Sequence, residues 1–148
     1  MREKKSEDVI GLEDRLNRYA AEKEHMQWKA EELNRLRNVA VSLEGPSQMG
    51  VKGSGSGSRT ELMAVRIADT QAELEQARRD AVRTYLEIWD MIGTLPGNDE
   101  KQLMICCYLD GDPLPLAAKK LGVSYSKAYD LKRKAFNHLN NKNVLKTE

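Results

Sequence analysis

Residues 116–139 read LAAKKLGVSYSKAYDLKRKAFNHL, and the spacing within that stretch decides the fold of the C-terminal third. Ala118, Gly122, Ala128 and Leu131 recur at the intervals of a helix-turn-helix, with Ala117, Leu121 and Val123 as its other core positions. Ala118 has to be small where two helices cross closely. Gly122 suits a left-handed residue that ends the first helix, a conformation costly for other residue types. Val123 fills the corner, and Ser124 is placed to cap the next helix. Ala128, Leu131 and Ala135 then face inward in steps of three and four. The outward face keeps Tyr125, Ser126, Lys127, Tyr129, Asp130, Arg133 and Lys134. In a recognition helix the N-terminal positions reach base edges, and later basic residues reach phosphates. An ordinary helical hairpin with a solvated basic face is the competing reading.

Charge distribution favours the first reading. The chain has 148 residues and a net charge of only +1, yet residues 110–148 alone carry +4. A nucleic-acid site is therefore sought at that end, with Lys119, Lys120 and Lys132 adding phosphate contacts to Arg133 and Lys134. Composition fits an all-α protein with much solvated surface: 32% of residues are charged and 5% aromatic. The two cysteines, Cys106 and Cys107, are adjacent in an apolar run, so no disulfide framework is expected, and the compartment is expected to be reducing. The N-terminus lacks the apolar stretch of a signal peptide, and no run approaches the ~18 apolar residues of a membrane span. His25 and His138 are far apart and no zinc spacing occurs, so no metal or other cofactor is expected. There is no phosphate-binding loop, nucleophile elbow or dinucleotide fingerprint, and an enzyme is not expected.

Upstream, two long helices are expected. Within residues 1–43, Val9, Leu12, Leu16, Tyr19, Met26, Ala30, Leu33 and Ala40 alternate in steps of three and four, with Lys23 and Arg37 in the two remaining slots. That is a heptad seam on a helix of roughly 50 Å, and Ser6 is a suitable cap for it. Residues 44–59, with Gly45-Pro46-Ser47 and the alternating Gly53–Ser58, have the composition of a flexible loop. A second helix over 60–93 carries the seam Met63, Ile67, Thr70, Leu74, Ala77, Ala81, Thr84, Ile88 and Met91. Its apolar face widens towards the end with Val82, Tyr85, Leu86, Trp89 and Ile92, as expected of a helix end that docks on something globular. The seams suit either a hairpin within one chain or a stalk joining two chains as a homodimer. Trp28 and Trp89 are expected to pack, the thiols to lie in or near the core, and both histidines to lie at the surface. Gly93–Gly97 ends the second helix, and Asn98 caps a short apolar helix to Leu109, broken by Asp110-Gly111-Asp112-Pro113. The motif occupies the rest of residues 94–140, and 141–148 is expected to be a disordered tail.

Leu95-Pro96, Leu103, Tyr108-Leu109-Asp110-Gly111 and then Leu114 to Leu139 resemble the C-terminal −35-element-binding domain (region 4) of bacterial sigma-70 factors. The whole chain is similar to small phage-encoded sigma-70 region-4-like transcription regulators, among them late-gene regulators of Gram-positive phages and a related family of unknown function. The resemblance implies a DNA-binding regulator in the cytoplasm of a bacterial host, acting at a promoter or operator and contacting host RNA polymerase. Three departures alter the expectation. Pro113 stands where the family usually caps the first helix of the motif with Ser or Thr. Pro115 and Leu116 replace acidic residues of its first turn, where proline is tolerated. Tyr125, Tyr129 and Asp130 stand where the family often has arginines, so the target sequence should differ from an ordinary −35 element. Two other classes fit less well: a DNA-packaging recognition subunit (small terminase), which usually places the motif N-terminally, and an adaptor that sequesters sigma factor or polymerase without binding DNA.

Overall fold

The computed structural model describes the backbone of residues 2–43 and 54–147, and the side chains of residues 11–43 and 59–141. The protein is all-α. The helices run α1 (Arg2–Leu43), α2 (Ser54–Gly93), α3 (Asn98–Tyr108), α4 (Leu114–Leu121) and α5 (Tyr125–Thr147), with no strand among the described residues. None of these helices is long and apolar enough to cross a membrane.

Several boundaries differ from expectation. Helix α1 begins at Arg2, ahead of the expected cap Ser6. Helix α2 begins at Ser54, so the loop expected over 44–59 is helical in its last residues; its earlier part, with Gly45-Pro46-Ser47, lies outside the described residues. Helix elongation gains one hydrogen bond per residue, and the α2 ladder runs back through Gly55 and Gly57 despite a cost of ~1 kcal/mol for each glycine. The same reasoning extends α5 to Thr147, through the segment 141–147 expected to be disordered and free of Gly and Pro. The N-cap of α3 is Gly97 and not Asn98, with no side-chain cap bond; Asp99 and Glu100 supply the acidic first turn.

The chain divides into two compact units, one of residues 22–81 and one of residues 1–21 with 82–148. In the first, Leu33, Thr70, Leu74, Ala77 and Ala81 are buried. Lys29 of α1 bonds to Glu73 of α2 and also to Glu32, at 3.2 Å. The α2 seam is buried or half-buried at each of its positions in this unit, as its period predicts. The α1 seam drifts: Lys29 and Leu36 are half-buried where Ala30 and Arg37 were expected, and those two are exposed. A heptad written onto a straight helix slips by about 20° per repeat, enough to exchange neighbouring positions. Trp28 is 62% exposed and does not pack.

The second unit holds two apolar clusters. One joins Leu12, Leu16, Ile88, Ile92 and Leu95 to Met104, Tyr108, Leu109, Ala135 and Leu139. The other joins Leu103, Ala117, Ala118, Ala128 and Leu131, with Cys106, Leu114, Leu121 and Val123 packed against them. The globular part therefore does not begin at residue 94. It takes its first cluster partly from the start of α1 and the end of α2. Here the widened face of α2 divides: Tyr85, Ile88 and Ile92 pack inward, while Val82, Leu86 and Trp89 remain exposed, against expectation. Burying each Leu or Ile contributes ~1.5–3 kcal/mol, so the two clusters are a large favourable contribution to this unit.

Candidate nucleic-acid interface

Helix α4 starts at Pro113, whose extended backbone (φ −63°, ψ 154°) forms the N-cap with no side-chain cap bond. This follows from the missing hydroxyl, since proline's fixed φ suits a helix start but offers no cap. At its other end Gly122 adopts the left-handed conformation, with φ 71° and ψ 32°. The Gly122 N–H donates to the Lys119 carbonyl at 3.2 Å and the Val123 N–H to the Ala118 carbonyl at 3.0 Å. Those bonds satisfy carbonyls that a helix end leaves free. Ser124 then caps α5 as predicted: its Oγ accepts the Lys127 backbone N–H at 3.1 Å. The short α4, the three-residue turn and the start of α5 are thus fixed by one glycine, one serine and the buried alanines 117, 118 and 128.

The outward face of α5 is arranged by the same register. Ser124, Tyr125, Ser126, Lys127, Tyr129, Arg133 and Lys134 are all exposed, Tyr125 at 57% and Tyr129 at 53%. Exposed tyrosines at successive turns of a helix whose other face is a packed core are available for contact. Asp130 lies among them and pairs with Arg133, Nη2 to Oδ1, at 3.5 Å. Lys119 and Lys120 are exposed on α4. Lys120 donates to Asp112 at 2.6 Å, which raises its pKa above the ordinary 10.5. Lys132 is set apart from the others. It is half-buried, with Nζ 5.7 Å from the Tyr108 ring centre and 5.8 Å from that of Phe136. Of the expected cations, Lys119, Lys127 and Lys134 have no ion-pair partner among the described residues, while Arg133 and Lys120 are paired.

Beside this face runs a groove of about 280 Å³, lined by Tyr129, Lys132, Arg133, Phe136, Asn137 and Asn140 of α5 and by Glu13 of α1. Asn137 and Asn140 continue the line of Tyr129 and Arg133 by steps of four and three, a signal present in the sequence beyond the point where the expected face stops. Glu13 has no such signal, because only the fold brings it there.

Cys106, Asp110 and Asp112 place one sulfur and two carboxylate oxygens within 4.8 Å of one another, a spacing that a metal ion could bridge. Lys120 already engages Asp112 there. Burial, with the charges of Asp110 and Asp112, holds the Cys106 thiol above its ordinary pKa, which opposes the thiolate a metal requires.

No curated protein and no solved structure matches the chain significantly. A family match does exist, and it spans α2 through most of α5, including every residue of the face described above. Residues 42–140, more than half of the chain, match the family described as "Protein of unknown function (DUF1492)", and the chain belongs to that family.

Proposed function

We propose that the protein is a DNA-binding transcription regulator that lays the N-terminal turns of α5 in the major groove of duplex DNA. The observation that carries this reading is the α4–α5 turn. The left-handed Gly122 and the Ser124 cap present an exposed Tyr-Ser-Lys-x-Tyr face on a helix backed by buried Ala128 and Leu131. Lys127 suits guanine O6 or N7, Ser126 suits several bases, and the tyrosines suit thymine methyls or phosphates. Lys134, Arg133 and Lys119 supply phosphate contacts. Lys132, held over two rings, contributes less than its charge suggests. The resemblance to sigma-70 region 4 makes a promoter the expected target, with polymerase as the expected second partner.

Binding of the full chain to random-sequence duplexes, followed across a salt series, tests this reading. Affinity should fall steeply with salt, by ~0.9 in log–log slope for each phosphate contact. Changing Arg133 and Lys134 together to Ala should weaken all duplexes alike. Lys127→Ala or Tyr129→Ala should relax preference at one or two base pairs, each worth ~1–3 kcal/mol of discrimination, with non-specific affinity nearly unchanged. Selection profiles indistinguishable among wild type and both single variants would remove the assignment of the reading face. Salt-independent binding, or none, would sink the function.

A further inference from the structure

Val82, Leu86 and Trp89 are 59%, 53% and 48% exposed, and their spacing of four and three sets them in one line along α2. Trp89 is held in place within its own chain. Its ring stacks on Tyr85 at 6.2 Å and 11°, and Tyr85 in turn meets the edge of the Tyr19 ring at 5.2 Å and 73°. A large apolar side chain fixed before binding loses little rotamer freedom when it is covered, which is the property of an interface anchor. Arg83 and Asp90 fall on the same flank of this line, about two turns apart. Among the described residues neither has an ion-pair partner.

We propose that this stripe is an interface between two copies of the chain, paired antiparallel about a two-fold axis near Leu86. The charges select both the occupant and the direction. A two-fold that turns one helix end for end brings each flank against the same flank of the other copy. Leu86 then meets Leu86, Val82 lies near Trp89, and Arg83 of each copy comes beside Asp90 of the other. Parallel pairing would set opposite flanks together and leave Arg83 away from Asp90. A second copy therefore completes both the apolar line and the two unpaired charges, using residues this chain already has. Three side chains and their flanks fall short of the ~800 Å² per partner of a standard interface, so the dimer is weak and depends on concentration.

Sedimentation equilibrium of the full chain from about 5 to about 500 µM tests the proposal. A monomer–dimer equilibrium is expected, weakened by salt. Leu86→Glu or Trp89→Ala should raise the dissociation constant at least ~10-fold, hot-spot behaviour for a buried anchor. These side chains are exposed, so far-UV circular dichroism of the variants should match wild type. Arg83→Asp should weaken association, and combining it with Asp90→Arg should restore it. A chain monomeric at the highest concentration overturns the proposal and leaves the stripe to a different protein. So does a dimer indifferent to Leu86→Glu, or an exchange of charges that restores nothing.

Discussion

Residues 22–81 and the unit made of residues 1–21 and 82–148 are both helical, yet they are held in different ways. The first relies on a narrow seam of buried side chains, Leu33 of α1 with Thr70, Leu74, Ala77 and Ala81 of α2, supplemented by a partly exposed ion pair between Lys29 and Glu73. The second encloses two clusters fed by every helix of the chain, with Leu16, Leu103, Ala117, Ala128 and Ala135 at 0% exposure. Segments with few buried apolar contacts open locally at lower free energy than the cores of their own chains. Long helices can therefore look as regular as a globular core and still be the part that opens first.

The largest expected effect lies in the globular unit. Leu103→Ala leaves a void where no solvent enters and should destabilise it by ~2–5 kcal/mol, read from urea unfolding followed by circular dichroism. A loss well under 1 kcal/mol would mean that the second cluster closes up around the gap and is less rigid than its burial implies. Leu74→Ala sits in the narrow seam, which can collapse more readily, so the low end, ~2 kcal/mol, is expected. Its amide-exchange acceleration should be confined to residues 22–81; acceleration spreading equally into α3–α5 would break the distinction between the units.

Smaller effects belong to the turn. Ala at Gly122 forces a side chain into a left-handed backbone, at ~1–2 kcal/mol. Ser124→Ala removes the α5 cap, at ~1 kcal/mol. Both should lower the melting temperature without changing exchange in residues 22–81.

The smallest effect is in pH. Hydrogen bonding to Lys29 lowers the Glu73 pKa from its ordinary 4.5, and bonds to Glu73 and Glu32 raise that of Lys29 above 10.5. A lowered carboxyl contributes stability above its unfolded pKa that disappears as pH falls through the folded one. A raised amine contributes below its unfolded pKa and loses the contribution as pH rises. In the globular unit burial raises Tyr108 above 10 and Cys106 and Cys107 above 9, so their contribution holds at neutral pH and declines in alkali from about pH 9. Acid should thus lower the protection factors of amides in residues 22–81, after correction for intrinsic exchange, through loss of the pair, and Glu73→Gln should remove that part of the dependence. If Glu73→Gln leaves the acid limb unchanged, the pair contributes nothing measurable.

What could be read in advance follows from what a period can encode. The α2 seam, the α4 boundaries, the Gly122 turn and the Ser124 cap each depend on near neighbours, and each stands where spacing places it. The α1 seam slipped because its two polar slots gave no preference between neighbouring positions. Trp28 stays exposed and Trp89 packs only on the Tyr85 ring, because hydrophobicity says that a side chain would gain by burial, not that the fold has a surface to cover it. By charge alone Lys132 is one more cation, but α3 and α5 bring two rings beneath it. Glu13 joined the groove beside α5 from the far end of the chain. Charge sums locate a field, but folding decides which of its charges remain unpaired.

The adjacent thiols have one further consequence. Cys107 packs against both apolar clusters and Cys106 against one of them, while burial keeps both protonated near neutrality. Both thiols are half-buried, so a thiol-specific reagent should react faster as α3 separates from its neighbours, and labelling becomes a clock for that event. With just two thiols in the chain, the mass of the labelled protein reports directly whether they become reachable together or in turn. Joint labelling would mean that the two clusters open as one cooperative body, and stepwise labelling that the α4–α5 side loosens first.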